Sequence, residues 1–227
     1  MNSRLEKIIS IPKSFYVSYR LTGFRMSLKL PILVRFNTVV KSLKGRVIFD
    51  DCEPFMGILQ VGFSGVGIID EKYQRPLIEI NGEIHLKGKA YFGYGAKLSI
   101  GGGGILRIGD GLLNNAGMTL ICFNQISIGH NVLVSWDTTV MDTDFHQQYD
   151  LIKGIVKATT GEISIGNNCW ICYGATVLKN THIADGVIVS AKSLVKGTHD
   201  EDNSVIGGVP AKTIKHNVTL YRPSTGS

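Results

Sequence analysis

At 227 residues, with 44% hydrophobic and 19% charged residues, the chain carries enough apolar material for a packed core and is no candidate for disorder. No apolar run is long enough to span a bilayer and the N-terminus lacks a signal-peptide h-region, so a cytoplasmic protein is expected. The net charge of +6 belongs to one segment: residues 1–46 hold ten Lys or Arg against one acid, Glu6, while the rest is slightly acidic, which argues against nucleic acid as a partner.

The first element, residues 1–25, reads as helical, with Pro31 near the end of a basic N-terminal segment that spans residues 1–44. Its interleaved aromatics, Phe15, Tyr16, Tyr19, Phe24 and Phe36, fit contact with an anionic membrane surface or a phosphorylated substrate. A helix with a solvated basic face accounts for the same residues. From about residue 45 the pattern changes. VIFDD, ILQVGFSGVGI and IEINGEIHLKGKAYFGYGAKLSI form a loose repeat of aliphatic residues, and IGGGGILRIGD reads as a glycine-rich turn.

Downstream the repeat becomes strict. Aliphatic residues occupy 165, 171, 177, 183, 189 and 195, one every six positions, and four residues after each of the first five comes a second inward position: Cys169, Ala175, Thr181, Val187 and Ser193. Upstream blocks start at Ile128 and Ile108, the latter interrupted by Asn114 at an aliphatic position. A period of six is neither helical nor that of an alternating strand. It suits a flat-sided coil in which each rung makes one side and three rungs close a turn, so equivalent side chains stack about eighteen residues apart in a narrow interior. Gly and Asn at the corners supply the backbone angles of the bends. The expected coil runs over 45–213, followed by a tail at 214–227, and its rhythm stops only at an inserted loop of about 142–162, MDTDFHQQYDLIKGIVKATTGE in context.

The segments ISIGHNVLVSWDTTVMDTDFH, ISIGNNCWICYGATVLKNTHIADGVIVSAKSLVKG and VIGGVPAKTIK resemble the hexapeptide-repeat acyltransferases, most closely the sugar O-acetyltransferases, including the galactoside and maltose enzymes and those of lipopolysaccharide and capsule. The resemblance covers roughly residues 80–216. It implies an all-β fold, a left-handed parallel β-helix, although ordinary crossover rules favour the opposite hand. It also implies a homotrimer with sites between subunits, acetyl-CoA as co-substrate, a sugar or glycan acceptor, and no metal.

On this resemblance His146, in the inserted loop, matches the general base that takes the proton from an acceptor hydroxyl as it attacks the thioester. A carboxylate among Asp142, Asp144 and Asp150 would orient the imidazole, and Asp142 or Asp144 would otherwise hold the acceptor; the sequence leaves these roles unseparated. Asn115 aligns with an acceptor-positioning asparagine, with Gly117 as the alternative offset. For the cofactor, Trp170 matches the Trp of the family's NNVWIG motif. Tyr173 falls where a small residue offers a backbone N–H to the thioester oxygen. Ala191 lines the pantetheine path, Lys192 replaces a glycine, and Lys196, Lys212 and Lys215 lie toward the nucleotide phosphates. Cys169 and Cys172 form a lone CxxC, which reads as core packing rather than zinc or redox chemistry. The resulting expectation is acetyl transfer to a sugar hydroxyl of a surface glycan or its precursor. N-acetylation of an amino sugar, or a silent β-helix scaffold, are the alternatives.

Overall fold

The computed structural model describes residues 3–221, so the last residues of the expected 214–227 tail lie outside the described residues. A parallel coil with three flat faces makes up most of the molecule. The first face stacks Ile32–Val34, Leu59–Val61, Ala90–Phe92, Leu112–Asn114, Leu133–Val134, Trp170–Ile171, Ile188–Val189 and Val205–Gly208, and Ala211–Lys215 closes it antiparallel. The second face contains Val39–Leu43, Leu77–Ile80, Lys97–Ile100, Thr119–Cys122 and Thr139–Met141. The third contains Arg46–Phe49, Glu83–Leu86, Ile105–Ile108, Gln125–Ile128 and Ile163–Ile165. The long strand Thr176–Ile183 bends around the corner and joins the second face to the third.

The six-residue periodicity is the core. Ile165, Ile171, Val177, Ile183, Val189 and Val195 are buried, and so are Cys169, Ala175, Thr181, Val187 and Ser193 at the second inward position. Ile165 sits beside Ile183, 18 positions on. The upstream turns are wider: Ile108 lies beside Ile128, 20 positions on, and Leu86 beside Ile108, 22 positions on. Looser corners explain the irregular sequence there, since extra residues are absorbed outside the stacked core. Corner angles fall to Asn131, Asn168 and Asn203, all with φ between 51 and 55, the left-handed region that asparagine tolerates. Asn114 is fully buried where an aliphatic residue is the rule. Its side chain is nevertheless satisfied: Oδ1 accepts the Gly93 N–H, and Nδ2 donates to the carbonyls of Ala116, Val134 and Ser135.

Two features differ from the expectation. The ladder begins at Ile32, ahead of residue 45, and residues 62–76 leave the coil as a second loop instead of continuing the repeat. That loop is tied down where Arg35 reaches the Glu71 carboxylate at 3.0 Å.

Helix α1 (Ser3–Thr22) covers the first strand. An uncovered strand edge is a template for pairing with another chain. Here three buried serines, Ser10, Ser14 and Ser18, stand one turn apart and act as the missing neighbour. Their hydroxyls accept the N–H groups of Phe36 (2.9 Å), Val34 (3.0 Å) and Ile32 (3.3 Å), and Ser14 and Ser18 donate to the carbonyls of Val34 and Ile32. Glu6, also buried, joins Arg35 at 2.5 Å and accepts from the Tyr94 hydroxyl at 3.2 Å, while the guanidinium lies over the Tyr94 ring. A four-residue helix α2 (Phe24–Ser27) follows.

Candidate active site

The inserted loop leaves the corner between the second and third faces as a hairpin, with Gln148–Asp150 antiparallel to Ile155–Lys157 and a bridge between Thr143 and Thr160 at its base. Asp142 anchors that base. It is fully buried, and its carboxylate accepts the N–H groups of Phe123 (2.7 Å) and Asn124 (2.8 Å). This overturns its expected contact with an acceptor, because both oxygens are committed to the coil.

The next residues form a tight turn. Phe145 takes φ 60, its N–H is accepted by Thr143 Oγ1, and its ring meets Phe123 edge-on at 5.2 Å. Asp144 pairs with Lys179 at 2.8 Å, and the same ammonium donates to the carbonyls of Ala158 and Thr159. Lys179 therefore clamps both limbs of the loop. Sequence reasoning passed over it; its only signal is a lysine at the corner directly above the loop's exit. His146 sits at the end of this turn, exposed, with its N–H on the Asp144 carbonyl at 2.7 Å and its ring making no hydrogen bond among the described residues. Asp150 is likewise committed, accepting the N–H groups of Ile152 and Lys153. None of the three carboxylates orients the imidazole within this chain.

The other expected residues gather elsewhere. Asn115 stands at the corner between the first and second faces, next to the structural Asn114, and its Oδ1 is buried without a partner. Above it on the same corner, Trp136 stacks on Tyr173 at 5.2 Å, and the Lys192 ammonium lies over the Tyr173 ring, 4.2 Å from its centroid. Trp136 was not singled out from the sequence, since a corner residue outside the aliphatic frame carries no periodic signal. Lys192 holds φ 60, the angle that its family position satisfies with glycine. The flanking amides are used, Cys172 N–H on the Val189 carbonyl and Gly174 N–H on that of Trp136; the Tyr173 N–H between them has no partner among the described residues. Trp170 lies on the adjoining first face, where Nε1 donates to Ser135 Oγ at 3.0 Å. Ala191 and Lys192 are exposed beside it, and Lys212 and Lys215 project from the last strand of that face. Lys196 does not join them. It stands on Leu194–His199 at the opposite corner, because that strand follows the bend of Thr176–Ile183. A groove of about 730 Å³ on the third face, lined by His85, Arg107 and His130 among others, contains none of the expected site residues.

Burial disfavours the thiolate form of three of the four cysteines. Burial pushes Cys122 up to about 12 and Cys169 and Cys172 up to about 11, and Cys169 Sγ donates to the Ala184 carbonyl at 3.1 Å. An acyl-cysteine intermediate would need a thiolate, which this burial disfavours.

Comparison with known proteins gives the same direction. No family model matches the chain. It is 30% identical over 203 residues to an uncharacterized 24.8 kDa protein in the cps region of Klebsiella pneumoniae, covering 89% of this chain and 87% of that one. It is 28% identical over 155 residues, 63% of this chain and 79% of the relative, to the putative lipopolysaccharide biosynthesis O-acetyl transferase WbbJ of Escherichia coli. The fold matches the crystal structure of the polySia-specific acetyltransferase NeuO with a TM-score of 0.55 at 14% identity, over 86% and 81% of the two chains. The chain belongs to the hexapeptide-repeat acyltransferases. The coil of this acyltransferase is the family's left-handed parallel β-helix, and acetyl-CoA is the family's acyl donor.

Proposed function

We propose that this acyltransferase moves an acetyl group from acetyl-CoA to a sugar hydroxyl of a surface glycan or its precursor, with His146 as general base. The observation that carries the reading is the His146 turn, an exposed imidazole on a loop that Asp142, Asp144 and Asp150 each help to hold in place. An accessible imidazole on a backbone tied down at both limbs is what a positioned base requires. In the proposed step a ring nitrogen of His146 takes the hydroxyl proton while the acceptor oxygen bonds to the thioester carbonyl carbon. The carbonyl oxygen becomes an oxyanion that the unused Tyr173 N–H can hold. Collapse breaks the C–S bond, and the imidazolium returns the proton to the CoA thiolate.

Within one chain His146 and the Tyr173 corner lie at opposite ends of the second face. The site is therefore incomplete in a single copy. We place it between copies, as in a trimer, with the hairpin of one reaching the Asn115–Tyr173 corner of the next. The hairpin tip supports this: Leu151, Ile152, Ile155 and Val156 are all exposed, Ile152 at 97%. Lys192, Lys212 and Lys215 then lie along the cofactor's path toward its phosphates, and the relatives named for lipopolysaccharide and polysialic acid support a glycan acceptor.

Thermal-shift titration with acetyl-CoA tests the reading before the acceptor is known. Ligand at about a hundred times its dissociation constant should stabilise by roughly 2.7 kcal/mol. His146→Ala should bind acetyl-CoA normally and lose transfer to acceptor oligosaccharides by about 10²–10⁴-fold. No stabilisation at millimolar acetyl-CoA in folded, assembled protein would remove the transferase reading and leave a scaffold.

A further inference from the structure

Helix α1 turns one side to the coil and leaves a second, apolar side uncovered. Its inner side is accounted for by Ser10, Ser14, Val17, Ser18 and Leu21 against the coil. Its outer side is not. Leu5, Ile8, Ile11, Phe15 and Tyr19 recur at helical spacing and are all exposed, Ile8 at 60%. Just beyond α1 in the chain, Phe24 and Leu28 are also exposed, at 61% and 64%.

The charge around this apolar stripe has one sign. Lys7, Arg20 and Arg25 are exposed, and Glu6, the one acid of residues 1–46, is turned inward onto Arg35. Two acids that come to this segment from outside, Glu53 and Glu71, are paired with Lys29 at 2.6 Å and Arg35 at 3.0 Å. Basic side chains beside an apolar stripe can lay their stems along it and hold their charge at the rim. A second copy of this chain would bring an identical basic rim against this one, so like charges would meet. An anionic lipid surface answers both the apolar stripe and the positive rim. Among the described residues no helix is long and apolar enough to cross a membrane, so the helix would lie in the interface.

We propose that the outer side of α1, with Phe24 and Leu28 just beyond it in the chain, docks the protein on an anionic bilayer surface. The inference is independent of acetyl transfer, because the hydroxyls that hold α1 to the coil face the other way. Flotation of the full chain with phosphatidylcholine vesicles containing about 30% phosphatidylglycerol, against pure phosphatidylcholine, at about 50 mM salt tests it. Wild type should float with the anionic vesicles at least about tenfold more than with neutral ones and lose this as salt is raised. Ile8→Asp/Phe15→Asp should abolish flotation with an unchanged thermal midpoint and unchanged acetyl-CoA binding. Folded wild type that fails to float, or a double variant that floats like wild type, overturns the proposal. So does a double variant whose mass by light scattering falls, since that outcome assigns the surface to a second copy.

Discussion

His146 is held by residues that never touch its ring. Asp144 and Lys179 clamp the turn that presents it, so losing either should act through position. Lys179→Ala is expected to lower kcat by about tenfold to a hundredfold with little change in KM for acetyl-CoA, and Lys179→Arg to restore part of it, since small misplacements are costly in catalysis. A steady-state kcat against KM comparison reads this directly. Lys192 gives a second prediction. It keeps a left-handed backbone angle that a glycine would hold without strain, and its ammonium sits over Tyr173. Lys192→Gly should leave the thermal midpoint unchanged or higher, because the left-handed angle costs a side-chain-bearing residue roughly 1 kcal/mol. It should weaken acetyl-CoA binding severalfold in a calorimetric titration, for want of a phosphate partner. The lysine's place was legible as a departure from the family's glycine. Its stacking on Tyr173 was not, because 19 residues separate the two in sequence and only the coil brings them together.

Among the elements, α1 shows how an edge is closed without a strand. Serines at i, i+4 and i+8 substitute hydroxyls for the backbone groups a neighbouring strand would offer. Ser14→Val should leave the buried N–H and carbonyl of Val34 without partners and destabilise by about 1–3 kcal/mol in urea unfolding. The helix was readable from the sequence, yet the purpose of its serine stripe was not, since a serine repeat in a basic helix has no distinctive local meaning. The hairpin was legible only as an interruption. Its base is set by Asp142, whose two oxygens cap backbone amides nineteen and eighteen positions away in chain terms, a distance no short-range pattern encodes.

For the whole molecule, the narrow interior that demands small inward residues also buries ionisable thiols. Cys122, Cys169 and Cys172, with Tyr94 pushed up to about 12, are neutral in the folded state well above the pH at which the unfolded groups ionise. Unfolded thiols ionise near about 8.5 and tyrosine near about 10. Their folded values being raised, the stability they support is fully present below about pH 8 and is lost progressively as pH climbs toward the folded values. The thermal midpoint of wild type is therefore expected to fall between about pH 8 and pH 10.5, and that of Cys122→Ala/Cys169→Ala to fall less steeply. Assembly belongs at this scale too. Light scattering should give three times the chain mass. Replacing the hairpin tip Leu151 and Ile152 with Asp should reduce transfer while leaving the coil folded, because these side chains are 88% and 97% exposed.

The coil and its aliphatic stack were settled by the sequence alone, because a six-residue rung writes its inward positions into every turn and each rung packs only on its neighbours. His146 was visible because the loop breaks that rhythm. The strand edge that α1 covers, the commitment of Asp142 and Asp144 to the loop's own architecture, and the separation of Lys196 from the other lysines were decided by the tertiary structure. Each depends on which corner of the coil a residue reaches, and that is set by the extra residues accumulated in the wider upstream turns and in the bend of Thr176–Ile183. A repeat pattern states that a corner occurs; only the folded coil states which residues share it.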